Sequence, residues 1–275
     1  MNLFTLNIQK ILITIVLGII EGITEFFPIS STSHIILCSK IFKIAQNESN
    51  ILNTFMQFGT SLSIFLYFKS TFVKMLFSII NIKQKNIIND KFSQYHVFFG
   101  ILPASIIGLC FHKYIKILFS YKNICLSLIF GSALLTASEI FKRTTKYKNK
   151  NINIFKSFII GLFQCLAVLP GFSRSCSTIS IGILIGLNQR IASQFSFIIS
   201  IPIFFGETIF DVINSYQTIT LHNTPIFLIG FFSAFLTSKI CVKKFFKIIE
   251  TCSFIPFIIY RLALSLMIYL FLCYF

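Results

Sequence analysis

Charge is what this sequence has least of. Asp, Glu, Lys and Arg make up 12% of its 275 residues, against about 25% in soluble globular domains, and that deficit excludes an ordinary water-soluble enzyme. Acidic residues are scarcer still: 8 Asp+Glu stand against 24 Lys+Arg, for a formal net charge of +16. Tryptophan is absent, and 6 prolines and 12 glycines leave few places where a helix must break. No Cys-x-x-Cys pair occurs among Cys38, Cys110, Cys125, Cys165, Cys176, Cys241, Cys252 and Cys273, so neither a zinc site nor a disulfide framework is indicated. Lys10 precedes an apolar run, but Glu21, Glu25 and a serine-rich stretch follow in place of a small-residue cleavage site. A removable signal peptide is therefore not expected.

What is abundant is apolar. Hydrophobic residues are 55% of the chain, with 36 Phe, and the mean hydropathy is +0.84. Repeated runs approach the ~20 residues that a helix needs to cross a bilayer. The expectation is one all-α integral membrane domain over 1–275, with six full spans near 52–69, 95–112, 123–141, 191–212, 225–242 and 254–273. Two more apolar regions, 11–44 and 157–187, are each interrupted by a Pro- and Ser-rich motif. Such irregular polar backbone cannot face lipid, so both are read as re-entrant broken helices. The cations lie in short gaps between runs, which suits a membrane rather than a basic face for nucleic acid, and no nucleic-acid partner is expected.

Those gaps orient the chain. Lys74, Lys83, Lys85 and Lys91 lie in 70–94; Lys142, Arg143, Lys146, Lys148, Lys150 and Lys156 in 142–156; Lys239, Lys243, Lys244 and Lys247 in 239–250. The gap 113–122 has only Lys113, Lys116 and Lys122, and 213–224 has no cation. Threading six spans places the three rich gaps on one side, the cytoplasmic one by the positive-inside rule. The first broken region is then entered from outside and the second from the cytoplasm. They also share a pattern: Gly18-Ile19-Ile20-Glu21 resembles Gly161-Leu162-Phe163-Gln164, and Ser30-Ser31 falls at the same offset as Ser173-Arg174. A repeat of inverted topology with broken helices points to a site where the repeats meet.

The first break reads Glu21-Gly-Ile-Thr-Glu25-Phe-Phe-Pro28-Ile-Ser30-Ser31-Thr32-Ser33-His34. Glu21 and Glu25 share a helix face, Gly18 and Gly22 allow a neighbouring helix to approach closely, and Pro28 should end the helix. A helix restarting at Ile35 would aim free N–H groups at the break. Ionisable residues inside an apolar stretch are functional by default; structural pairing of the two glutamates with Arg174 is the plain alternative. The second break reads Pro170-Gly171-Phe172-Ser173-Arg174-Ser175-Cys176-Ser177-Thr178, with a helix expected from Ile179. Arg174 presents a fork of donors suited to phosphate oxygens, and the neighbouring hydroxyls add neutral hydrogen bonds. One break thus supplies carboxylates, a nucleophile and an imidazole, and the other supplies positive charge, a division that phosphoryl transfer uses. A hard divalent cation, Mg or Ca, held by Glu21 and Glu25, would let carboxylates sit beside a polyphosphate. No organic cofactor is expected.

These two motifs resemble the signature motifs of the undecaprenyl-diphosphate phosphatases of the bacitracin-resistance type. The likeness extends to Gln57-Phe58-Gly59, Leu102-Pro103-Ala104, Gln164 with Ala167, Phe195-Ser196-Phe197, Ile201-Pro202 and Tyr260-Arg261. The resemblance implies a multi-pass hydrolase of the bacterial inner membrane, with its active site open to the outer face. Such an enzyme removes one phosphate from undecaprenyl diphosphate, recycles the carrier for peptidoglycan synthesis and cell-wall biogenesis, and confers bacitracin resistance. It also implies an inverted-repeat fold, with membrane lipid as surroundings and a homodimer as the assembly to look for. Carried over by position, Glu21 and Glu25 match the paired acids, Ser31 the nucleophile, His34 the histidine and Arg174 the arginine. Ser30, Ser173 and Thr178 match substrate-side hydroxyls, and Thr32 and Ser175 are expected to bind substrate beside them. Two positions depart: Ser33 stands where the family usually has Gly or Ala, and Cys176 where it usually has Gly. Cys176 is expected to crowd or strain the phosphate turn and reduce activity.

Attack by Ser31, with His34 or a carboxylate as base, and direct attack by water fit the sequence equally. A carrier flippase without hydrolysis is the alternative function, and it predicts that Ser31→Ala leaves function intact. His96, His112 and His222 are expected at span ends. Glu139 is expected in a surface ion pair with Lys142 and Arg143, and Glu207 with Asp211 at an outer vestibule.

Overall fold

The computed structural model describes residues 3–80, 92–115, 119–145, 151–214, 223–249 and 251–274. Lys83, Lys85, Lys91, Lys116, Lys146, Lys148, Lys150 and His222, named above, lie outside them, as do the side chains of His112, Lys113 and Cys273. Among the described residues the chain is helical throughout, without strands. The helices are α1 (Leu3–Thr24), α2 (Ser31–Ile41), α3 (Gln46–Tyr67), α4 (Lys69–Ile80), α5 (Gln94–Ile115), α6 (Tyr121–Thr144), α7 (Ile154–Gln164), α8 (Arg174–Leu184), α9 (Gln189–Asn214), α10 (Thr224–Ile249) and α11 (Ile255–Tyr274). A short 3-10 turn, Cys165–Val168, ends α7.

By length and composition four of these can cross a membrane: α5 over Gln94–Phe111, α6, α9 and α10. The bent pair α3 and α4, which turns by 72° at Phe68, makes a fifth. The expected sixth span falls on α11, whose apolar stretch Ile255–Phe271 is shorter. The expected loop after residue 69 is instead helical through α4, because Met75 is buried and Phe72 packs against the main core. Large apolar side chains are exposed as well as buried, unlike in a water-soluble bundle. Phe155, Ile240, Phe130 and Leu109 are exposed, whereas Ser63, Ser138, Ser193, Ser196 and Ser200 are buried. Small polar residues between helices and large apolar ones outside suit a lipid surround.

Glycine decides how closely the long helices meet. Gly18 and Gly22 of α1 face α10, where a Cβ would lie 2.6 Å from the Ser233 Cβ and 2.8 Å from the Ala234 carbonyl oxygen. Gly59 of α3 lies against the Phe231 carbonyl of α10 so closely that no Cβ fits. Backbone cannot move aside as a flexible side chain can. Gly59→Ala is therefore expected to destabilise the protein by about 1–3 kcal/mol through overpacking, despite the better helix propensity of Ala. Thermal unfolding in detergent checks this, and an unchanged midpoint would refute it.

The internal likeness of the two broken regions has a structural counterpart. α2 and α8 are both 11 residues long and start at the equal-offset residues Ser31 and Arg174. α10 packs along α1 and α5 packs along α7, while α3 and α9 pair centrally. The ends also sort. Lys142 near the end of α6 donates to Gln189 at the start of α9, 3.0 Å, and to the Cys252 carbonyl before α11, 3.1 Å. The cation-bearing gaps after α6 and α10 therefore lie at one end. Thr54 of α3 donates to Asp211 of α9 at 2.7 Å toward the other.

Glu139 is not at the surface. It is buried, paired with Lys142 at 2.9 Å and Arg143 at 3.0 Å. It also accepts from Ser253 at 2.8 Å and the Phe254 amide at 3.1 Å. Lys142 and Arg143 suffice for a surface pair, but the free N–H groups at the start of α11 draw the carboxylate inward.

Candidate active site

Each break is built the same way. α1 ends at Thr24, and the chain turns through Pro28 to Ser30, whose φ is 70°. The second region passes Pro170 and Gly171, φ 94°, to Ser173, whose φ is 73°. Left-handed backbone at a non-glycine residue is strained and collects at functional sites. Both serines are helix N-caps: Ser30 Oγ accepts from the Ser33 amide and Ser173 Oγ from the Cys176 amide, each at 3.3 Å. The helices thus restart at Ser31 and Arg174, earlier than the Ile35 and Ile179 read from hydropathy. Capping rather than the first apolar residue sets a helix start.

Ser33 and Cys176, the two departures noted above, occupy equivalent third positions of these helices. Neither has positive φ, so a side chain there needs no glycine conformation. Ser33 Oγ joins Ser30 Oγ at 2.9 Å. The buried Cys176 thiol donates to the Gly131 carbonyl at 3.2 Å. The backbone strain expected at Cys176 is absent because the residue lies inside the helix, past the turn.

The breaks meet through one chain of hydrogen bonds. Ser31 Oγ donates to Glu25 Oε2 at 2.6 Å, and Arg174 Nη2 donates to Glu25 Oε1 at 3.1 Å. Arg174 Nη1 donates to the Ser196 carbonyl at 2.9 Å. Ser196 Oγ lies 2.6 Å from Thr178 Oγ1, which donates to the Arg174 carbonyl at 2.9 Å. The guanidinium also stacks on Phe197 and Phe204, 5.3 and 5.0 Å from the ring centres. Ser175 Oγ contacts Ser173 Oγ at 3.1 Å and donates across the breaks to the Phe27 carbonyl at 3.2 Å. Phe26 anchors the first break against Phe197 and Phe245.

His34 is placed differently. Its Nδ1 lies 2.7 Å from the Ser30 carbonyl and must carry the proton there, because a carbonyl only accepts. Its Nε2 is 2.7 Å from Tyr260 Oη, and the two rings stack with centroids 5.6 Å apart. His34 thus supports the first turn of α2, and Glu25, not His34, is the hydrogen-bond partner of Ser31. Thr32 follows Ser31 half-buried in that turn.

Two ionisable groups keep unused capacity. Both oxygens of the fully buried Glu21 lack a hydrogen-bond partner, as does Arg174 Nε. Glu207 is exposed one turn before Asp211. Among the described residues there is no cluster of three or more His, Cys, Asp and Glu suited to a metal.

The profile of the bacitracin resistance protein BacA matches residues 14–267. The chain belongs to this BacA family. A relative called undecaprenyl-diphosphatase from Buchnera aphidicola subsp. Baizongia pistaciae is 51% identical over 257 residues, covering 94% of this chain and 95% of that protein. A protein of the same name from Baumannia cicadellinicola is 38% identical over 274 residues, covering 97% and 99%. The two breaks also contact residues that motif reading left outside the candidate site. Ser196 and Tyr260 contact Arg174 and His34, and Arg261 reaches both breaks. All three fall in stretches that carry the family resemblance, and Arg261 is besides a charge in the middle of an apolar run.

Proposed function

We propose that this chain is an undecaprenyl-diphosphate phosphatase, releasing inorganic phosphate and undecaprenyl phosphate. The observation that carries the reading is the hydrogen-bonded series Ser31–Glu25–Arg174, which joins a nucleophile, a base and a cation from opposite breaks. The relatives' shared name supports hydrolysis over carriage without hydrolysis.

In the first step Ser31 Oγ bonds to the terminal phosphorus and its proton passes to Glu25. The bond to the bridging oxygen breaks and undecaprenyl phosphate leaves with that oxygen. Water then attacks the phosphoserine, the P–O bond to Ser31 breaks, and Ser31 recovers a proton as phosphate departs. Arg174 and the amides opening α2 and α8 hold the phosphoryl oxygens, so charge builds where donors already point. Ser30, Thr32, Ser173, Ser175 and Thr178 line that contact. The direct hydrogen bond to Glu25 favours Ser31 over a water activated by His34, whose two nitrogens are engaged elsewhere.

A divalent cation would be held by Glu21, whose two buried oxygens have no hydrogen-bond partner, one turn from Glu25. Mg or Ca held there would offset the charge of the diphosphate.

The finer topology follows the same reading. α1–α2 and α7–α8 form two re-entrant pairs of opposite sense, and α3, α5, α6, α9, α10 and α11 form six spans of the inner membrane. The gathering of cationic gaps at one end supports a cytoplasmic face there and a site open to the outer face.

The test is phosphate release from a long-chain polyprenyl diphosphate by detergent-purified protein, with divalent cation present and chelated. Rapid quenching and mass spectrometry should find phosphate on Ser31. Turnover without any phosphoserine would refute the serine route, and no turnover by folded protein would refute the phosphatase.

A further inference from the structure

Arg261 is a full charge with no exposure to solvent and, among the described residues, no carboxylate partner. Every hydrogen bond that it makes is to a carbonyl or a hydroxyl. Nη1 donates to the Pro28 carbonyl at 3.1 Å, in the first break. Nη2 donates to the Phe172 and Gly171 carbonyls at 3.0 and 3.4 Å, in the second. The same Nη2 lies 3.3 Å from the Ser127 and Leu128 carbonyls of α6, and Nε lies 3.3 Å from Ser132 Oγ. One planar cation from α11 thus grips both breaks and α6 together. Gly131 of α6 is packed so closely against Nη2 that a Cβ there could not coexist with it.

Burying an unpaired charge is costly, and α11 has simpler ways to pack on α6, such as Ser265 donating to the Cys125 carbonyl at 3.1 Å. Broken helices, however, leave carbonyls without intrahelical partners, and here carbonyls of two separate breaks converge. A guanidinium has five N–H donors spread in a plane and reaches several of them at once, which the single ammonium of Lys cannot.

We propose that Arg261 is a positioning residue that holds the two breaks, and with them Ser31–Glu25 and Arg174, at their working separation. It touches neither Arg174 nor Ser31. It acts through the backbone that carries them, and its catalytic consequence rests on the phosphatase reading above.

Arg261→Lys keeps the charge and the stem but loses the span. The expected result is a kcat per folded molecule about 100-fold lower with KM within about threefold, since small misplacements of reacting groups act on the chemical step. Hydrogen–deuterium exchange should rise together in peptides covering 26–34 and 170–178. Ser265→Ala, which loosens the same helix pair away from the breaks, should change neither. Should Arg261→Lys fail to yield folded protein, Gly131→Ala displaces the same guanidinium from the α6 side and carries both expectations.

A kcat within about threefold of the parent, or faster exchange at one break or at neither, overturns the proposal. The two readings fail separately. A parent chain that releases no phosphate counts against the phosphatase, while the exchange pattern still decides the clamp.

Discussion

Arg174→Ala is expected to lower phosphate release from a long-chain polyprenyl diphosphate by about 10³-fold or more, the scale set by arginines that stabilise a transferring phosphoryl group. Three losses combine. The phosphoryl oxygens lose their fixed cation. Glu25, 6% exposed, is left as a buried carboxylate without its counter-ion, which is costly. The α8–α9 contact through the Ser196 carbonyl also goes. Arg174→Lys should recover little, because one ammonium cannot reach both Glu25 and Ser196 in the positions they hold. Size-exclusion profiles establish that the variants fold, and a turnover within tenfold of the parent for Arg174→Ala would remove Arg174 from the site.

Glu25→Gln is the second large effect, an expected loss of about 10²–10⁴-fold from removing a general base. The amide still fills the space and can accept the Ser31 hydrogen bond, but it cannot take the proton. Arg174 then has no carboxylate across the breaks. Ser31→Ala should match this loss, and the double variant should be no worse than either alone, since residues that act as one unit are not additive. If Ser31→Ala kept most of the turnover while Glu25→Gln lost it, water rather than Ser31 would be the nucleophile that Glu25 activates.

The acids, the hydroxyls and Arg174 were all legible in the sequence, because ionisable residues interrupting apolar runs are costly in lipid and so conspicuous. The two-part motif with its equal spacing was legible as well. Helix starts were not: hydropathy marks the first apolar residue, whereas Ser30 and Ser173 restart the helices several residues sooner as strained caps. Which of His34 and Glu25 contacts Ser31 was also decided only by the tertiary structure. Both lie near Ser31 along the chain, and only the engagement of His34 with Ser30 and Tyr260 leaves Glu25 as the partner of Ser31.

Glu139 and Arg261 show the same limit from opposite sides. A carboxylate three and four residues before Lys142 and Arg143 reads as a local surface pair, yet it closes the start of α11 from inside the protein. Arg261, which reads as one charge in the middle of an apolar run, is the contact shared by both breaks. The partners that decide this lie 89 to 233 residues away in the chain, where no periodicity or spacing can register them.

By itself, then, the sequence determined that this is a helical membrane protein with two polar breaks carrying acid, hydroxyl and guanidinium chemistry, because lipid tolerates no other placement of such residues. Which of those groups touch, which one faces Ser31, and what holds the two breaks together were decided only by the tertiary structure. Hydrogen bonds between distant segments depend on how whole helices pack, and even where paired glycines mark a close approach, as at Gly18 and Gly22, the chain does not say which helix approaches.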